Sequence, residues 1–230
     1  MKTVGILGGM GPETTSKFYL KVIELCRLKN KIYYPPIIIN SLPIPYTLEK
    51  DIVEKGESEE RLLPILIDGV KKLEQLKADF IVIPCNTVHI FIDELRKNIS
   101  TPILSIVEET VAKCKIEDYK KVGILATKKA IEKKLYNKEL ERRNIKLIVP
   151  DLDEQQKVTR IIYKILNGNK SEENKKELLE VIQSLKSKGV EAVILGCTDL
   201  QLVINKDNSS LPLLDTVEIL VEASVSKILE

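Results

Sequence analysis

Residues 73–87 read LEQLKADFIVIPCNT and residues 185–198 read LKSKGVEAVILGCT. In both, a run of helical character turns into a strand of Val and Ile that ends on a cysteine, with a threonine directly after it or one residue later. Cys85 and Cys197 lie 112 residues apart, and a second pair of strands, Thr3 to Leu7 (TVGIL) and Lys121 to Leu125 (KVGIL), repeats with an offset of 118. Generic strands resemble one another by chance, but a cysteine at the same place after the strand does not follow from strand composition. The chain is read as two homologous lobes.

Outward from these stretches, short apolar runs alternate with longer segments of helical period, the pattern of parallel sheets with crossover helices. The fold class is α/β. Strands are expected at 3–8, 37–41, 80–84, 103–106, 121–127, 146–149, 192–195 and 211–214. Helices are expected at 13–28, 59–76, 88–97, 108–114, 131–144, 154–166, 172–186 and 216–229. The expected lobes are residues 1–105 with 212–230, and residues 106–211, related by a pseudo-two-fold axis with an active site in the cleft between them. The connection 42–58, with Pro43, Pro45 and Gly56, is long for a compact α/β chain and is expected to be functional or mobile.

Composition removes several function classes. A chain of 230 residues with 43% hydrophobic residues can bury a full core. Lys and Arg number 36 against 34 Asp and Glu, interspersed without a polybasic block, which argues against nucleic acid or a membrane surface as partner. The first apolar stretch is too short for a signal-peptide core and no run reaches transmembrane length, so a soluble cytoplasmic protein is expected. The four cysteines, at 26, 85, 114 and 197, form no CxxC pair and there is a single histidine, so neither a disulfide scaffold nor a metal site is expected.

Cys85 and Cys197 are expected at the carboxyl ends of parallel strands, where open α/β sheets bind ligands. A helix N-terminus beside each would favour the thiolate. Two acid/base groups on opposite faces of one carbon are what a racemase or epimerase requires, and thiols near their ordinary pKa serve as either acid or base. Backbone N–H groups with the hydroxyls of Thr87, Thr127 and Thr198 would anchor a carboxylate. Cys26 and Cys114 sit among apolar helical residues and are expected to be buried thiols.

In order along the chain, GILGGMGPE (Gly5 to Glu13), PCNTVH (Pro84 to His89), GILAT (Gly123 to Thr127), DEQ (Asp153 to Gln155), GCTDL (Gly196 to Leu200) and PLLDT (Pro212 to Thr216) resemble the aspartate/glutamate racemase superfamily, specifically its aspartate racemase branch. The resemblance implies a racemase of two α/β lobes that uses no cofactor, acting on aspartate, glutamate or another amino acid, with Cys85 and Cys197 as the two bases. Asn86, Thr87 and Thr198 would hold the α-carboxylate and amino group, Met10 would line the site, and Lys157, or Gln156 in a shifted alignment, would meet the distal group. A homodimer is implied, with Tyr33-Tyr34-Pro35-Pro36 shaping a turn or a subunit contact. The sequence departs from the aspartate-selective pattern at Leu48, Ile52 and Val53, where relatives are polar, and carries Asp199 where Glu is usual and Leu220 where some have His.

The same residues fit other functions. A hydantoin racemase or a maleate cis-trans isomerase would use the same two cysteines, and a non-enzymatic small-molecule or redox-sensing protein would place them in a binding cleft. A dinucleotide site is disfavoured, because Thr14 stands where a third glycine is needed and the second strand ends without an acid. His89 is four residues from Cys85, a spacing that suits orienting the cysteine or its loop.

Overall fold

The computed structural model describes residues 1–52 and 58–230, so Val53 and Gly56 lie outside the described residues. The chain forms two four-stranded parallel sheets of matching strand order. In the first, β1 (Val4–Gly8) lies between β2 (Ile37–Ser41) and β3 (Phe80–Val82), and β4 (Ile103–Leu104) follows β3. In the second, β5 (Lys121–Leu125) lies between β6 (Lys146–Ile148) and β7 (Ala192–Leu195), and β8 (Leu213–Asp215) follows β7. The duplication extends to single hydrogen bonds. Asp79 N–H donates to the Thr3 carbonyl and Glu191 N–H to that of Lys121, both at 2.9 Å; Ile81 N–H donates to Pro102 and Val193 N–H to Pro212, again both at 2.9 Å.

The helices are α1 (Pro12–Lys29), α2 (Tyr46–Lys50), α3 (Leu63–Gln75), α4 (Ile92–Asn98), α5 (Ile106–Ile116), α6 (Lys128–Glu132), α7 (Asn137–Arg142), α8 (Leu152–Leu166), α9 (Glu172–Ser187) and α10 (Thr216–Leu229). The helix expected at 131–144 is two helices, because Lys134 adopts a left-handed backbone (φ 52°) that ends the first. α2 was not expected; five residues after Pro45 are too few to show a period. β8, which follows the expected boundary at residue 212, pairs with β7 in the second sheet, and α10 after it packs on both α1 and α5.

Among the described residues, buried apolar side chains form three clusters. A central one joins the sheets, with Val4 and Ile6 of β1 and Val122 and Ile124 of β5 packed through Phe18 and Val22 of α1 and Leu220 and Val221 of α10. Cys26 and Cys114 belong to it, and burial pushes the Cys114 thiol up to about 12 and raises that of Cys26. The outer faces carry one cluster each, against α3 in the first lobe and against α8 and α9 in the second. Leu220 is fully buried in the central layer. The turn after β1 depends on Gly9, whose φ is +95°, and a Cβ there would stand 2.3 Å from the Leu42 carbonyl oxygen.

Candidate active site

The carboxyl ends of the two sheets face one cleft. After β3 the chain makes a tight turn, with Cys85 N–H donating to the Ile83 carbonyl at 2.8 Å, and continues into a 3-10 turn at Thr87–Phe91. After β7 comes Gly196, where a Cβ would stand 2.9 Å from that of Ala126, then Cys197 and a 3-10 turn at Leu200–Leu202. Cys85 and Cys197 both line the cleft, together with Met10, Asn86, Thr87, Thr127 and Thr198. The hydroxyls of Thr87 and Thr127 lie 3.1 Å apart across it. Among the described residues no three His, Cys, Asp or Glu side chains are grouped to hold a metal ion.

The expectation that each cysteine precedes an α-helix and carries a lowered pKa is corrected for Cys197. Burial raises its thiol well above the ordinary value, and the Asp199 carboxylate adds to this, while backbone N–H groups at Asp199 and Leu200 oppose it more weakly. Cys197 Sγ–H donates toward Asp199 Oδ2 at 3.9 Å. Asp199 is itself buried, its pKa raised by desolvation and held back by Thr14, whose hydroxyl donates to Oδ1 at 3.4 Å. Cys197 is therefore held as a thiol beside a carboxylate.

A profile of known families places the chain: the model described as Asp/Glu/Hydantoin racemase matches residues 7–224. The chain belongs to the Asp/Glu/Hydantoin racemase family. It is 34% identical to the broad specificity amino-acid racemase RacX of Bacillus subtilis over 97% of this chain and 96% of that one. An aspartate racemase homologue from Pyrococcus horikoshii OT3 superposes with a TM-score of 0.81 at 32% identity, covering 100% of both chains. The Picrophilus torridus aspartate racemase gives 0.81 at 25% identity, covering 99% of this chain and 94% of that one.

Within this family scaffold, several residues have roles that spacing alone did not show. Asn86 is buried, and both ends of its amide are engaged: the Tyr136 hydroxyl donates to Oδ1 at 2.5 Å, and Nδ2 donates to the Thr216 hydroxyl at 2.9 Å, which in turn donates to the Leu195 carbonyl at 3.0 Å. This chain ties the Cys85 loop to the end of β7 and explains the PLLDT motif, in which Asp215 caps α10 by accepting from the N–H groups of Val217 and Glu218. From the DEQ motif, Gln155 Nε2 donates to the Ala126 carbonyl at 3.0 Å, bracing the residue before Thr127. Glu59 pairs with Lys129 and Lys133, both at 3.2 Å, and Lys129 is nearly buried.

Lys157 is not brought to the cleft. Ile162 and Leu166 are the α8 residues that line it, and Lys157 lies five positions before Ile162, about 140° around the helix, where it is exposed. Gln156 is also exposed and faces a groove between α6 and α8. Ile52 lines the cleft and Leu48 is buried in the outer core. No helix among the described residues is long and apolar enough to cross a membrane.

Proposed function

We propose that this protein is a cofactor-independent amino-acid racemase in which Cys85 and Cys197 act as opposing acid and base on the α-carbon. The observation that supports this reading most directly is that two cysteines at equivalent strand ends of duplicated lobes line the same cleft. One sulfur, as thiolate, takes the α-proton as the Cα–H bond breaks; the other, as thiol, gives its proton to the opposite face of the carbanion. The pair ends with its protonation exchanged, which suits turnover in the reverse direction. Cys197, kept protonated by burial and by Asp199, starts as the acid, so Cys85 starts as the base. Asp199, the carboxylate on the cleft wall, receives the α-ammonium, and the hydroxyls of Thr87, Thr127 and Thr198 receive the α-carboxylate.

The test is isotopic. In deuterated water, early turnover of an L-amino acid should place deuterium in the D product while recovered L substrate stays protiated, with the reverse for D substrate. Equal early labelling of both enantiomers indicates a single base and removes the two-thiol assignment. The same reading includes a homodimer through the first lobe, supported by exposed Ile32, Tyr33 and Tyr34 next to the edge strand β2. A monomeric mass by light scattering would remove that part.

A further inference from the structure

The cleft is chemically divided. Its polar side chains are Asn86, Thr87, Thr198 and Asp199, each within two residues of Cys85 or Cys197, and Thr127, whose hydroxyl meets that of Thr87, so they gather where the shared part of any amino acid would lie. The other side chains that line it, the two cysteines aside, are apolar. The first lobe contributes Ile44, Ile52 and Leu62, and the second contributes Ile162 and Leu166. Among the described residues, no lysine, arginine or histidine lines it. Lys129 and Lys133 both bind Glu59, Lys50 lies over the Tyr163 ring at 5.9 Å, and the cations that act on the cleft, Lys17 and Lys170, do so on the Asp199 carboxylate, at the end where the α-ammonium would lie. Lys157 is exposed on another face of α8.

We infer that the substrate is an amino acid with a neutral aliphatic side chain, of the leucine, isoleucine or methionine class, seated against Ile44, Ile52, Leu62, Ile162 and Leu166. The inference rests on the proposed racemase reading and adds the side-chain class to it. A second carboxylate, as in aspartate or glutamate, would lose its hydration against isoleucine and leucine side chains without gaining a cation from the described lining residues, and would share the cleft with Asp199. A buried group left unpaired is what allows a site to reject one substrate strongly in favour of another. An aliphatic side chain removes the same hydrocarbon wall from water and gains from doing so.

Initial rates with the unmodified full chain, read by chiral chromatography, decide the question. The panel is L-leucine, L-isoleucine, L-methionine, L-aspartate, L-glutamate and L-lysine. At least one aliphatic member is expected to exceed both acidic ones in kcat/KM by about 100-fold or more. A best rate with aspartate, glutamate or lysine, or comparable rates across the classes, overturns the side-chain assignment and leaves the racemase reading intact. Absence of racemisation and of solvent deuterium exchange for every member overturns the racemase reading itself, and the assignment with it. A second measurement uses Ile44→Lys, at a half-buried position on the rim: the acidic-to-aliphatic ratio should rise about ten-fold or more, and an unchanged ratio overturns the seating of the side chain against this wall.

Discussion

His89 Nδ1 lies 2.8 Å from the carbonyl oxygen of Cys85. Because a carbonyl only accepts, Nδ1 carries the proton, and Nε2 is left to accept from Ile106 N–H at 3.3 Å. The second bond requires the neutral ring, since a protonated Nε2 has no lone pair to offer. The histidine thus clamps the backbone of the cysteine loop to the start of α5 and takes no part as a base, in keeping with the orienting role its spacing suggested.

The buried ring titrates far from its usual range. Desolvation is the largest effect and carries its pKa down to about 4, against 6.5 for an exposed histidine. As pH falls through 6.5 the unfolded chain takes up a proton that the folded chain refuses, so stability is lost between about 6.5 and 4, and not further below. The full loss is about 3 kcal/mol. Urea unfolding of the native protein should therefore weaken more steeply across this window than that of His89→Gln. Equal slopes would show that the imidazole is not held neutral.

The hydrogen-bonded chain from Tyr136 through Asn86 and Thr216 to Leu195 joins the two strand ends that carry the cysteines. In Tyr136→Phe the buried Asn86 Oδ1 loses its donor, which should destabilise the fold by about 1–3 kcal/mol. Thermal unfolding measures this. Under the proposed mechanism turnover should fall as well, because the Cys85 loop loses one of its ties to the second lobe; a variant as stable as the parent would deny the bond its place.

The duplicated lobes were legible because repeated strands keep their residues even where helices and loops diverge. Strand 37–41 and strand 192–195 have the expected limits, since β-branched runs bounded by turn residues leave little freedom. What escaped were features made by tertiary contact. Nothing local to Asn86 reveals that its amide faces Tyr136 and Thr216, residues 50 and 130 positions away. The thiol of Cys197 was expected to be lowered because strand-end position was read without depth; burial and a carboxylate two residues on reverse the sign. For Lys157 the helix was expected, but its phase relative to the cleft was not available from a motif match.

The four cysteines should divide into two pairs on mutation. Cys85→Ser and Cys197→Ser are each expected to lower racemisation by at least about 100-fold, the usual worth of a positioned acid or base. Cys26→Ala and Cys114→Ala should leave turnover nearly unchanged and lower thermal stability modestly, since each removes a small apolar group from the central core. A large loss of turnover without a change in melting temperature in either of the latter would contradict their assignment to packing.

In the proposed mechanism, Asp199 couples substrate binding to the acid thiol. Its charge beside Cys197 helps keep that sulfur protonated, so Asp199→Asn should move the alkylation of Cys197 toward lower pH, although burial still holds the thiol above its ordinary value. The same carboxylate is the proposed partner of the α-ammonium, and a hydrogen bond to a charged group contributes about 1.5–3 kcal/mol. Its loss should therefore raise KM roughly 10- to 100-fold. The two effects have separate readouts: the pH profile of alkylation by peptide mass, and KM by chiral assay. A shifted profile with an unchanged KM would leave Asp199 as a neighbour of the acid and transfer the ammonium to another group, while a raised KM with an unshifted profile would mean that its charge does not reach the sulfur.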